Sequence, residues 1–235
     1  MSAGGSSSGV LAISFDGDGT LWDFEAAMRA ALERSAATLN DAGLGREGAP
    51  VTAAWLAAVR DEVAATERFR GASMEAIRLA AFGEAVRRIE PGRDELAELV
   101  YGRYMEDRFA DLRPYPDVGD ALAALGARFR LALITNGNTH PTKVGLDGSF
   151  EEVVIAFECG VHKPDPAIYA LALERLGIPA AACLHVGDDP LEDVDAARRA
   201  GLGTVWLNRT AAAWSDGLVR ADHELTDLAA LLDLV

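Results

Sequence analysis

At 235 residues the chain has room for one large domain, or for one domain carrying a substantial insertion. Half of the residues are hydrophobic and a quarter are charged, which excludes a disordered or fibrous chain over most of the length. Asp and Glu total 37 against 22 Lys and Arg, giving a formal charge of −15. A charge of that sign argues against non-specific binding to nucleic acid or to an anionic membrane. It leaves a small anion open, because one local cation decides that. The basic residues are unevenly divided: Lys143 and Lys163 are the only lysines.

Residues 1–9 are rich in Ser and Gly and have neither a positive segment nor an apolar core, so they read as a flexible tail rather than a secretory signal. No apolar run approaches the ~20 residues of a membrane helix. Cys159 and Cys183 have no metal-binding or disulfide spacing and read as buried, reduced thiols. Together these features favour a cytoplasmic location. From Val10 to Phe15 a short apolar run ends in Asp16-Gly-Asp-Gly-Thr20. Four similar runs follow: Leu131 to Thr135, Val153 to Phe157, Ala182 to Gly187 and Gly203 to Asn208. Short apolar runs closed by turn residues indicate buried parallel strands. Helical segments fall between them. One follows Lys163-Pro164, with Asp165 as a cap, Pro166 in the first turn and Gly177 as the stop. Another runs from Asp189 to Ala200.

Residues 23–112 have helical periodicity and no convincing strand. Four helices are marked by Met28 to Leu39, Trp55 to Val63, Ile77 to Ile89 and Leu96 to Tyr104. The expected architecture is therefore α/β. Residues 10–22 and 113–235 form a doubly wound, parallel Rossmann-like core, and residues 23–112 form an inserted helical domain.

Ligands of an open α/β sheet bind beyond the carboxyl ends of its strands. Four sets of residues fall there. Asp16 and Asp18 close the first run; Thr135, Asn136 and Gly137 close the second. Lys163 follows the third, and Asp188, Asp189 and Asp193 follow the fourth. Each set alone is a plausible turn or helix cap. Their shared address gives them a joint chemistry. Converging carboxylates repel unless a cation is present, and a few hard oxygen ligands suit Mg²⁺. Asp16 and Asp188 would hold it, with a backbone carbonyl from the first loop. The metal and a lysine would neutralise a phosphoryl group held by Thr135 and nearby N–H groups. A carboxylate could then attack phosphorus, and a second carboxyl two residues on could serve the leaving oxygen.

These residues carry a resemblance. Phe15-Asp-Gly-Asp-Gly-Thr-Leu-Trp22-Asp23, Thr135-Asn136, Lys163-Pro164 and Gly187-Asp188 through Asp193 resemble, in order, the four motifs of the haloacid dehalogenase superfamily. The resemblance spans Val10 to about Asn208 and implies specific roles. Asp16 would be the nucleophile. Asp18 would be the general acid/base, lending its backbone carbonyl to the metal. Thr135, Asn136 and Gly137 would bind the phosphoryl group, and Lys163 would steady its charge. Asp188 would bind Mg²⁺, with Asp189 and Asp193 as ligands or supporting groups. Residues 23–112 would be the family's helical cap.

The resemblance implies a Mg²⁺-dependent phosphatase acting on a small phosphorylated metabolite. Members that release halide lack an acid at the position of Asp18, so this residue favours phosphate esters over a 2-haloacid. A phosphomutase and a non-catalytic phosphate-binding protein remain alternatives. A signalling receiver domain fits poorly, since it has no such insertion. Ile134 to Pro141 and Leu184 to Asp189 resemble phosphatases of flavin-pathway and nucleotide-like substrates, with phosphoglycolate and sugar phosphates as competitors. Arg68, Arg70 and Arg78 in the insertion are candidates for a substrate's anionic end, against a plain solvated face. His162 could line the site. His185 reads as a satisfied core residue, His140 and His223 carry no pattern, and Trp206 and Trp214 read as packing.

Overall fold

The computed structural model describes residues 9–46 and 48–235, apart from the side chain of Arg46. The tail expected at residues 1–9 lies outside the described residues except for Gly9. The chain divides into two compact units, residues 1–24 with 113–235, and residues 25–112. In chain order the elements are β1 (Ala12–Phe15), α1 (Phe24–Asp41), β2 (Gly45–Arg46), β3 (Ala49–Pro50), α2 (Ala53–Ala64), α3 (Met74–Ile89) and α4 (Asp94–Ala110). There follow α5 (Val118–Gly126), β4 (Arg130–Thr135), β5 (Glu152–Ile155), α6 (Ala156–Cys159) and α7 (Ala167–Leu176). The chain closes with β6 (Cys183–Gly187), α8 (Ala196–Arg199), β7 (Gly203–Leu207), β8 (His223–Leu225) and α9 (Leu231–Leu234).

The first unit is an α/β domain around one parallel sheet of six strands, in the order β5-β4-β1-β6-β7-β8. The apolar runs of the sequence become its five inner and edge strands, because strands covered on both faces need no polar alternation. β1 is central, with β4 on one side and β6 on the other, so the winding reverses beside it. That reversal opens a crevice at the carboxyl end of β1.

One face of the sheet grades from apolar to charged towards that end. Along β1 it carries Ala12, Ser14 and then Asp16; along β6 it carries Cys183, His185 and Gly187. Ala12 pairs with Cys183, and Ser14 pairs with His185. Helix α7 covers this face with Ile168, Tyr169, Ala172 and Leu176, all buried. It ends at Gly177, whose φ of 63° is the left-handed conformation that stops a helix.

The second unit is helical. Thr52 and Ser73 cap α2 and α3 by accepting the N–H groups of Trp55 and Ala76. Its core includes Leu39, Val59, Phe82, Val86, Val100 and Tyr104. Phe82 and Tyr104 pack with ring centroids 5.1 Å apart.

Several sequence expectations change in detail. The strand expected over Val153 to Phe157 stops at Ile155, and Ala156–Cys159 turns into a helix that leaves Phe157 exposed. The helix expected over Asp189 to Ala200 is a wide π-type turn, Pro190–Asp195, leading into α8. β8 carries the mixed segment His-Glu-Leu at a sheet edge, so no apolar run announced it. Among its described residues the insertion contains one antiparallel pair, β2 with β3, only two residues long per strand. Leu99, expected on a packed face, is exposed, while Ala97 takes the buried position. Cys183 is buried, whereas Cys159 is only partly so.

Ile168 is fully buried beneath the sheet. Ile168→Ala should therefore cost about 2–5 kcal/mol of stability through lost burial and the cavity it leaves. Urea denaturation of both proteins measures this directly.

Candidate active site

The first loop is wound tightly after β1. Asp16 continues the strand ladder, its N–H bonded to Val186 O at 2.9 Å. The chain then turns back on Gly17, whose carbonyl accepts the N–H groups of Thr20, Leu21 and Trp22. The Trp22 indole is fully buried against Gly17, closer than any side chain there would allow. Its Nε1–H donates to Asp18 Oδ1 at 2.5 Å. Two further acids approach this region from β6. Thr20 Oγ1 donates to Asp188 Oδ1 at 3.1 Å, and Trp206 Nε1 donates to the Asp188 carbonyl at 2.7 Å. Ligand oxygens of Asp16, Asp188 and Asp193 lie within 4.8 Å of one another.

Lys163 lies at the centre. Its side chain is 1% exposed, and Nζ donates to Asp16 Oδ1 at 2.5 Å and to Asp193 Oδ1 at 2.6 Å. Asn136 fixes the lysine's backbone on both sides. Its Oδ1 accepts from Lys163 N–H at 2.8 Å, and its Nδ2 donates to Lys163 O at 3.0 Å and to Glu192 Oε2 at 2.8 Å. Thr135 Oγ1 accepts the Gly137 N–H at 3.0 Å.

Glycines make room for the acids. A Cβ at Gly137 would stand 2.5 Å from Asp18 Oδ2, and one at Gly187 would overlap the Asp193 carboxyl. At Gly19, where φ is 83°, a Cβ would also stand 2.5 Å from Asp188 Oδ2. That position needs glycine for both its backbone and its space.

The electrostatics follow from burial. With all three acids ionised, three carboxylates against one ammonium would leave two negative charges in the cluster of Asp16, Asp188, Asp193 and Lys163. Burial pushes Asp16 well above the usual carboxylate range; Lys163 pulls it back, while Asp193 and Asp188 push it further up. Burial, and then Asp193, push Asp188 up to about 7. Burial acts the same way on Asp193, but the Lys163 charge and the contact with His185 outweigh it and hold this acid below its usual range. Burial alone would lower Lys163, yet Asp16 and Asp193 keep it charged, well above the normal lysine range. The cluster thus lacks positive charge by the amount a divalent cation supplies, and its donors are hard oxygens.

The sequence model of the haloacid dehalogenase-like hydrolases matches residues 10–201. The chain belongs to this family. It is 36% identical to a glyceraldehyde 3-phosphate phosphatase of Methanopyrus kandleri over 53% of this chain and 55% of that one. It is 37% identical to the 5-amino-6-(5-phospho-D-ribitylamino)uracil phosphatase YigB of Escherichia coli over 49% of this chain and 50% of that one. The chain thus spans about half the length of the curated relatives it matches. A 2-haloacid dehalogenase from Pseudomonas syringae pv. tomato DC3000 has the same fold, with a TM-score of 0.74, 29% identity and coverage of 96% of this chain and 97% of that one. Among the described residues, no helix is long and apolar enough to cross a membrane.

Within this haloacid dehalogenase-like hydrolase, Lys163 bonds Asp16 and Asp193, and Asp188 lies close beside these two acids. Asp18, on the loop after β1, and Thr135, the last residue of β4, stand beside them. Asn136, expected next to the phosphoryl group, spends its amide on Lys163 and Glu192. Asp189 is exposed and caps the following turn, accepting from the N–H groups of Leu191 and Glu192 at 2.8 and 2.7 Å. Sequence reasoning missed Thr20, Glu192 and the Nε1 donors of Trp22 and Trp206. Their signal is only a polar atom near a motif, and that becomes meaningful once the loops are folded. Trp206 also packs edge-on against Trp214, as expected, with centroids 4.9 Å apart.

In the helical unit, Arg68 and Arg70 are exposed, Arg70 paired with Glu67, as a solvated face requires. Arg78 instead lines a cavity of about 10 Å³ with Arg60, Phe82 and Tyr104. His162 and His223 are exposed, and His140 bonds locally to Thr142.

A carboxyl raised in the folded state binds its proton more tightly there than in the unfolded chain. The Asp188 contribution therefore destabilises the metal-free protein at pH values above about 7, and the penalty is relieved as pH falls towards the unfolded value of about 4. In chelator, Asp188→Asn should melt at a higher temperature than wild type at pH 8, with the gap closing by pH 4.5. An equal gap at both pH values would contradict this assignment.

Proposed function

We propose that the protein is a Mg²⁺-dependent phosphatase that hydrolyses a phosphate monoester on a primary carbon of a small polyhydroxylated metabolite. The observation that carries the reading is the cluster in which a buried Lys163 bridges Asp16 and Asp193 while a third carboxyl, Asp188, brings an oxygen within 4.8 Å of theirs. Both phosphatase relatives named above act on phosphates borne by short oxygen-rich chains, which supports the substrate class.

Asp16, Asp188 and the Asp18 carbonyl would hold the cation; when bound, it neutralises carboxylate and phosphate charge. Asp193 Oδ1 accepts from Lys163 Nζ and its Oδ2 accepts the Asp189 N–H, so it supports the site from behind. Asp16 attacks phosphorus as the bond to the ester oxygen breaks, forming an aspartyl-phosphate. Asp18 gives its proton to that leaving oxygen, releasing the alcohol. It then takes a proton from water as the water attacks the same phosphorus. Inorganic phosphate leaves and the Asp16 carboxylate returns. Lys163 holds Asp16 in place and stabilises the charge that gathers on the phosphoryl oxygens. The residues of 25–112 serve as the cap that reads the leaving group.

A 2-haloacid dehalogenase is the second reading, favoured by the 29% identity to the Pseudomonas syringae enzyme. A halide leaves without a proton, which would give Asp18 no task.

Wild type with Mg²⁺ should release phosphate from a panel of sugar, polyol and flavin-precursor phosphates, and no halide from 2-chloropropionate. Asp16→Asn should lower turnover by at least ~10³-fold, and Asp18→Asn by about 10²–10⁴-fold, the range of one acid/base group. Halide release without phosphate release would replace this reading with the second. Because Asp16 and Asp188 hold protons more tightly than ordinary carboxylates, Mg²⁺ binding should expel protons and weaken below about pH 7. Calorimetry in two buffers of different ionisation enthalpy counts those protons; a count of zero at pH 6.5 would remove Asp188 from the metal site.

A further inference from the structure

Behind the cluster runs a second set of buried polar groups. His185 is 1% exposed and lies on β6 directly across from Ser14 on β1. Its Nδ1 is 2.8 Å from Ser14 Oγ. Its Nε2 is 3.4 Å from Asp193 Oδ1 and also 3.4 Å from the Tyr169 hydroxyl. The rings of Tyr169 and His185 meet edge to face, with centroids 4.9 Å apart.

The proton positions are determined by what each group can donate. Tyr169 gives its hydroxyl proton to the Glu192 carbonyl at 2.7 Å, so its oxygen faces His185 as an acceptor. Asp193, held ionised by Lys163, is also an acceptor. Nε2 must then carry the hydrogen, shared between these two oxygens, and shared hydrogen bonds are characteristically long. Nδ1 is left bare and accepts the Ser14 hydroxyl proton. Ser14 in turn accepts from Cys183 Sγ at 3.7 Å. The opposite tautomer would turn a lone pair towards a carboxylate and a phenolic oxygen at once. Every donor from Cys183 through Ser14 to His185 therefore has one direction, and the chain ends on the same Asp193 oxygen that receives Lys163.

We propose that His185 is a positioning residue: through Nε2–H it fixes the Asp193 oxygen that sets Lys163 against Asp16, and Ser14 fixes its tautomer. A histidine that merely fills the core would need its two ring nitrogens satisfied by any partners. This one delivers a donor to the carboxylate behind the catalytic lysine. The inference rests on the roles assigned above to Asp16 and Lys163, and its test includes a readout independent of turnover.

Asn and Gln separate the two ring positions. The amide of Gln reaches the place of Nε2 and can still donate to Asp193. The shorter Asn reaches the place of Nδ1, satisfying Ser14 while leaving Asp193 without that donor. His185→Asn should lower kcat for a phosphate ester about tenfold, the scale of one lost hydrogen bond to a charged group, with KM unchanged. His185→Gln should recover most of it. Independently, protein labelled with ¹⁵N at lysine Nζ carries only two lysine side-chain sites, Lys143 and Lys163. The Lys163 ammonium signal should shift in His185→Asn and return towards wild type in His185→Gln, while Lys143 stays fixed as the control. If His185→Asn does not fold, Ser14→Ala carries the test, since it frees the tautomer and should also shift Lys163. Equal kcat and equal Lys163 signals in the Asn and Gln variants, or a Lys163 signal unmoved by Ser14→Ala, would overturn the proposal. Wild type that releases no phosphate, with the Lys163 shifts as expected, would overturn the phosphatase reading and leave the positioning role standing.

Discussion

Much of this molecule is organised around one ammonium group out of contact with water. Lys163 is charged because two carboxylates hold it so, and those carboxylates are buried because the lysine is there. Neither half is stable alone: a buried charge without its partner costs several kcal/mol. The three segments that carry these groups, after β1, before α7 and after β6, therefore have to arrive together. Asn136 ties a fourth segment to them by gripping the lysine's backbone from the end of β4. The carboxyl edge of the sheet is thus joined across its central strands by polar bonds, at a place where the apolar core has ended.

That arrangement explains why the site was more legible in the sequence than its supports were. Asp16 and Asp188 sit directly after apolar strands and Lys163 follows the short helix after a third, and the address of a strand end can be read from hydropathy alone. The architecture was legible for the same reason: buried parallel strands leave uninterrupted apolar runs, and Met28, Ala31 and Leu39 mark α1 by their spacing. Other parts had no such mark. β8 is an edge strand with exposed polar residues, and Phe157 extends an apolar run that the backbone abandons two residues earlier. The division of labour between Asp189 and Asp193 depends on which way each side chain turns in a wide helical turn. No residue spacing encodes that; the turn directs one outward to cap N–H groups and the other inward to the lysine.

Polarity along the inner face of β1 and β6 is graded rather than abrupt. Alanine and cysteine give way to a serine–histidine pair, and then to carboxylates. Each step is satisfied by its neighbour, so charge is introduced into the interior without an orphaned polar atom along the way. The apolar half supplies rigidity, and the intermediate pair converts it into fixed orientation for the charged half. Tyr169 serves both, burying its ring under the sheet while its hydroxyl reaches the Glu192 carbonyl.

The glycine seats beneath the acids have a consequence for how this site can change. Asp18 occupies the space of a missing Cβ at Gly137, which belongs to a different strand's loop, and Asp188 does the same at Gly19. Each acid is therefore measured against the bare backbone of a distant part of the chain. An extra methylene would drive the carboxylate into a peptide that cannot retreat, so exchange of Asp for Glu is not a conservative change here. The length of the acid is specified as strictly as its charge, and by residues that carry no chemistry themselves. Drift at one of these glycines would have to be matched by a change on the opposite loop, so the two segments can vary only as a pair.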